Sequence, residues 1–166
     1  MSAEPGGAVG SELVLLGAAD TAAELRSAIA KYPDAPGAAL ARYRLALRLI
    51  EEKKYDQAVP ELSKAAASGD AALRDKAKLT EAYALELSGK LADAAVKFTA
   101  LGTSGSSNAP VKCEALYSAG RLYVKLGKKA EARAVLKNAA GVALPNGSES
   151  AAYWKASAAE LLNSIE

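Results

Sequence analysis

The chain has 166 residues, 51% of them apolar in type, 24% charged and 5% aromatic; that is one domain's worth of chain, able to bury about two thirds of its unfolded surface without a disulfide or a metal. Twenty-one Lys and Arg against nineteen Asp and Glu give a net charge of +2, too balanced for a phosphate-binding surface, so nucleic acid is not an expected partner. The sequence holds no histidine, which removes the usual general base at neutral pH, the Ser-His and Cys-His nucleophile pairs and most zinc and haem sites; the expectation is a protein that is not an enzyme and carries no cofactor or metal.

Taken in chain order, residues 1–10 read as a flexible segment rich in Gly with Pro5. They have neither the basic nor the apolar region of a signal peptide. Helical character begins at Ser11 to Leu16 and resumes in a helix carrying Thr21, Leu25 and Ala28, which stops before Pro33. From Ala38 to Lys53 the apolar positions Leu40, Tyr43, Leu47 and Ile50, joined by Leu45 and Leu49, recur at helical spacing around most of the circumference. Such a helix should be covered on two sides, which implies stacked layers. Further helices are punctuated at Ser68 to Asp70, at Gly102 to Pro110 and at Pro145 to Ser148. Pro60, about four residues after a candidate N-cap at Asp56, is read as marking a helix start, where a missing N–H costs least. Strand signals are nearly absent. No apolar run approaches the roughly 18 to 20 residues that span a bilayer.

An internal repeat organises these helices. The segments beginning at Lys53, Gly89 and Gly127 share a turn with Gly or Lys followed by Lys, a small residue five positions on, a large apolar residue four later and another three later. The small residues are Ala58, Ala94 and Ala132, at periods of 36 and 38, and the large ones are Leu62, Phe98 and Leu136; Thr21, Leu25 and Ala28 continue the register backwards. The repeats fall at about 38–68, 71–103 and 109–141, after a half-repeat at 11–33. Residues 148–166 place Trp154, Ala158, Leu161, Leu162 and Ile165 on one face and read as a C-terminal capping helix. The half-repeat looks cut short, so either the natural start is irregular or an upstream anchor or signal has been removed.

These segments resemble the tetratricopeptide-repeat family, helix-turn-helix units of about 34 residues. The family's small residue in the first helix matches Ala46, Ala82 and Gly120, and its apolar residue three later matches Leu49, Leu85 and Tyr123. The sequence departs from the family at the aromatic early in the first helix, which is Arg42, Lys78 and Leu116 here, and in a period longer by two to four residues. Over residues 12 to 141 the resemblance implies an all-α, right-handed α-solenoid over 11–166. Small residues would sit where helices cross, and Leu62, Phe98 and Leu136 would fill the space between layers.

The resemblance also implies a non-enzymatic protein-protein interaction module that binds a peptide or protein in a concave groove lined by the first helix of each repeat. The groove residues are Leu40, Tyr43, Leu47 and Ile50, then Leu79, Tyr83 and Leu87 with Lys76 and Glu86, then Tyr117, Arg121 and Lys125 with Glu114 and Val124. It reads as apolar, with tyrosines and a basic C-terminal end, and replacing Tyr83 and Tyr117 by Ala is expected to weaken binding without unfolding the domain. Members that hold a chaperone carboxylate use Lys, Asn and Arg where this chain has Tyr43, Leu47, Thr80, Glu114 and Ser118, so that clamp is missing. The stretches 30–46 and 70–74 are similar to bacterial cell-envelope members, including a membrane-anchored, chaperone-like ancillary subunit of the Sec translocon. This implies a periplasmic or membrane-tethered location rather than a cytoplasmic one, and a holder of unfolded secretory proteins as the alternative function. The one methionine, Met1, favours a dedicated binder over a promiscuous one. A homodimer stays open.

Other candidates carry less. Cys113, after Lys112 at a helix start, could have its thiol activated by the helix dipole and the cation, but with no histidine it reads as an ordinary small side chain. Glu51 and Glu52 read as a solvated helix end. Gly89-Lys90 and Gly102 to Ser107 do not fit a nucleotide cradle. Asn146-Gly147-Ser148 matches a glycosylation triplet in a segment better read as a turn.

Overall fold

The computed structural model describes residues 12, 14–144 and 147–165; the segment 1–10 and the first half of the turn at Pro145 to Ser148 lie outside the described residues. The protein is all-α, with no strand among the described residues. After a helical turn at 14–18 come α1 (Ala22–Lys31), α2 (Ala38–Glu51), α3 (Tyr55–Ala65), α4 (Ala71–Leu87), α5 (Leu91–Ala100), a π-helical turn (Leu101–Gly105), α6 (Ala109–Lys125), α7 (Lys129–Gly141) and α8 (Glu149–Ile165). The chain divides into two compact units, Met1–Ala77 and Lys78–Glu166, with the boundary inside α4.

Local chemistry sets the helix starts. Thr21 accepts from the Glu24 N–H through its hydroxyl while the Glu24 carboxylate accepts from the Thr21 N–H, a capping box that opens α1. Thr21 therefore lies exposed at the N-cap, unlike its register equivalents Ala58, Ala94 and Ala132, which are fully buried. Asp70 caps α4 by accepting from the N–H groups of Ala72 and Leu73, and Asn108 caps α6 by accepting from that of Val111. Helix α3 departs from expectation. Its N-cap is Lys54, Asp56 lies in the first turn, and Pro60 lies inside the helix, because the turn at Lys53 and Lys54 that closes α2 fixes where α3 begins. The break expected at Gly102 to Pro110 shrinks to Ser106–Asn108, because α5 runs on into the π turn, where Leu101 and Gly102 are buried and the Thr103 hydroxyl donates to the Thr99 carbonyl at 2.8 Å.

Three helix ends share one geometry. The N–H groups of Lys54, Lys90 and Lys128 donate to the carbonyls of Leu49, Leu85 and Tyr123, and those of Lys53, Gly89 and Gly127 to Ile50, Glu86 and Val124. Each is a Schellman closure, which needs a left-handed residue before the lysine; Gly89 and Gly127 supply it with φ of 82° and 74°, and Lys53 with 59°.

In the first unit α2 packs against α1 and α3, burying Leu25, Leu45, Leu49 and Leu62 around the fully buried Ala46 and Ala58. The turn at 14–18 is held by charge. Arg44 donates to the carbonyls of Leu16 and Gly17, and Arg48 donates to the carbonyl and carboxylate of Asp20, the latter at 2.8 Å. The Arg48 guanidinium holds the Asp20 carboxyl below the usual carboxylate range.

In the second unit α6 packs against α5, α7, α8 and the π turn, and α7 against α8, around Phe98, Leu116, Leu122 and Leu136. Gly120 of α6 meets Leu136 of α7, the close approach that the repeat pattern predicts. Helix α8 turns Ala151 and Ala158 inward, with Trp154, Leu161, Leu162 and Ile165 half-buried, as a cap on this unit requires.

Candidate functional site

The ten expected groove residues fall in both units, four on α2 and six on α4 and α6. On α2 the spacing of Leu40, Tyr43, Leu47 and Ile50 puts them along one face. Leu40 is 51% and Leu47 37% exposed, while Tyr43 and Ile50 are half-buried. This face is an aliphatic strip open to solvent in part.

In the second unit the α4 residues Leu79, Tyr83 and Leu87 run beside Tyr117, Arg121 and Lys125 of α6. Leu87 is 58% exposed, Lys125 is exposed and the other four are half-buried. A polar network runs through them. The Tyr83 hydroxyl donates to Glu114 Oε1 at 2.8 Å and lies 3.2 Å from the Ser118 hydroxyl. The Arg121 guanidinium grips both oxygens of Glu86, the fork geometry that makes Arg-carboxylate pairs directional. The Tyr83 ring also packs edge-on to Phe98, with centroids 4.8 Å apart. Burial, aided by the Glu114 carboxylate and opposed by the Ser118 hydrogen bond, pushes the phenol up to about 12. Tyr83 is thus a protonated donor at neutral pH. The Glu86 hydrogen bonds raise Arg121 further above its ordinary value.

The basic C-terminal end expected of this groove is corrected by that pair. Arg121 is neutralised by Glu86, leaving Lys125 as its exposed cation. The tyrosines are also more embedded than expected. Tyr117 packs against Trp154 of the capping helix at 5.4 Å, and Trp154 in turn meets Tyr153, 64% exposed, at 5.0 Å. Neither Tyr83 nor Tyr117 can be truncated without cost to the fold, so the double alanine variant cannot isolate binding. The roles of Glu86, Glu114 and Ser118 as partners had a sequence signal: Glu86 and Arg121, like Tyr83 and Ser118, stand 35 residues apart, close to the repeat period.

Cys113 is buried with Ala109 and Ala151 beside Val142 and Trp154, and burial raises its thiol above the ordinary value despite Lys155 and Lys112. The activation considered for it is overturned. Glu51 and Glu52 pair with Arg48 and Lys54 at the surface. Gly147, with φ of 76°, makes the turn expected at Pro145 to Ser148, while Asn146 itself lies outside the described residues. A cleft of about 450 Å³ between the π turn, α6 and α7 is lined by Thr103, Ser107, Lys112 and Asn138 among others, a set without a paired acid and base. Among the described residues no three potential metal ligands cluster, and no helix is long and apolar enough to cross a membrane. Comparison of the chain with protein-family models, with curated proteins and with solved structures finds no match.

Proposed function

We propose that this chain is a tetratricopeptide-like interaction module, a right-handed stack of helical hairpins that binds a peptide or protein segment along the faces of α2, α4 and α6 and performs no chemistry. The observations that carry the reading are the exposed aliphatic side chains of Leu40 and Leu47 on α2 in the first unit and, in the second, exposed Leu87 on α4 together with a polar network whose groups are already paired. Exposed leucines add contact area for a partner, while the fixed Tyr83–Glu114 and Arg121–Glu86 pairs give that surface a set shape and polarity. The repeated Schellman closures and the packing of α6 on α5, α7 and α8 fit hairpins stacked layer on layer. The similarity of stretches 30–46 and 70–74 to cell-envelope members supports a bacterial envelope complex as the setting of that partner.

The experiment is capture of the envelope partner by the wild-type chain and by L40E, L47E and L87E variants. All three positions are exposed, so helical content and melting should not change. Loss of one stoichiometric partner from these variants supports the reading. Full retention of the partner, or capture of a broad set of unfolded secretory chains with suppression of their aggregation, overturns it in favour of another surface or of a holder.

A further inference from the structure

The start of the first unit carries an apolar surface that the groove reading does not use. A cleft of about 570 Å³ lies between the helical turn at 14–18 and α1, walled mainly by Leu15, Ala18, Ala19, Ala23 and Ala28. Val14 and Leu15 beside it are 67% and 41% exposed. Helix α1 spends its other side, Leu25 and Ile29, on packing. Among the described residues nothing covers the cleft.

The charges at its rim identify an occupant. Glu24 and Lys31 are both exposed and both border the cleft. They stand seven residues apart, two helical turns or about 10 Å along one face of α1. Glu24 Oε2 is engaged by the N–H groups of Asp20 and Thr21, leaving Oε1 for another donor. Lys31 has no carboxylate partner among the described residues, its ammonium lying 5.3 Å from the Tyr32 ring centroid. A patch with one charge of each sign at either end of an apolar strip is complementary to itself when turned end for end.

We propose that this face pairs two copies of the chain, α1 against α1 in antiparallel orientation about a two-fold axis near Ser27. Glu24 of each copy then meets Lys31 of the other, and the Leu15 side chains close the cleft from both ends. The contact is independent of the α2, α4 and α6 faces.

Sedimentation velocity from low to high micromolar concentration tests it, with circular dichroism confirming that each variant is folded. The wild-type chain should dimerise. K31E sets two acidic pairs across the axis and should weaken the dimer roughly tenfold or more, as should L15E, which puts a charge in the apolar contact. E24K alone should also dissociate, yet an equimolar mixture of K31E and E24K should form a heterodimer, since only there do both rim pairs carry opposite charge. E24K removes the capping box, so a second readout is needed if α1 melts: S27C should cross-link to its twin under mild oxidation, Cys113 being buried. A chain that stays monomeric, a dimer indifferent to K31E and L15E, or S27C dimers that do not cross-link would each overturn the proposal.

Discussion

Gly120 of α6 lies so close to Leu136 of α7 that a Cβ on the glycine would stand 2.5 Å from the leucine Cδ2 and 2.7 Å from its Cγ. Leu136 is itself fully buried, so it has nowhere to move. G120A gains up to about 1 kcal/mol of helix propensity but overpacks the crossing by more. The expected net loss is about 1–2 kcal/mol by urea denaturation. G141A at the end of α7, where a Cβ meets nothing within 4 Å, should hold or slightly raise stability, and equal behaviour of the two variants would deny the close crossing.

Replacing Tyr83 separates its ring from its hydroxyl. Y83F keeps the edge contact with Phe98 and loses the bonds to Glu114 and Ser118, an expected cost of about 1 kcal/mol. Y83A also vacates the space beside Phe98 and should cost about 2–3 kcal/mol. A larger loss for Y83F than for Y83A would contradict this geometry.

The same phenol sets an alkaline limit. Its value is raised on folding from 10.0 to about 12, so its contribution is complete below pH 10, where both states are protonated, and fades as the pH climbs from about 10 to about 12. Urea midpoints measured across that window should fall more steeply for the wild-type chain than for Y83F.

Cys113 should resist Ellman's reagent in the native protein and react in full on unfolding, because burial both shields the thiol and disfavours its thiolate. Rapid native labelling would mean that α8 does not cover it.

Lys53 occupies the left-handed position that glycine fills at the equivalent turns, with φ of 59°. A side chain there costs roughly 1 kcal/mol, so K53G should stabilise the protein by about that amount in a thermal or urea melt. No gain would indicate that the turn relaxes.

The sequence made the helices legible wherever local chemistry decides them: the glycines after α4 and α6, the breaks before α4 and α6, and the small residues at 46, 58, 82, 94, 120 and 132, which the repeat and the family resemblance single out and which are all buried. It misled where a neighbouring element decides. Pro60 looks like a start signal in isolation, but the closure of α2 places the start of α3 two residues earlier than Asp56 alone suggests. The groove side chains were identifiable as a face, whereas their pairing was only hinted at by the 35-residue spacing of Glu86 and Arg121, because whether Arg121 faces solvent or Glu86 depends on the alignment of α4 with α6. The rise of the Cys113 thiol likewise depends on α8, distant in sequence, which closes over the helix start that would otherwise favour a thiolate.

The arginine clamp on residues 14–20 also decides how the protein responds to its medium. Arg44 and Arg48 reach an Asp20 whose side chain is 69% exposed, so mobile ions can screen the attraction within a Debye length of about 8 Å at physiological ionic strength. The leucines beneath α1 have no such sensitivity. The attachment of the leading turn consequently varies with salinity, loosening in brine and tightening in dilute buffer, while buried Leu16 keeps part of its hold.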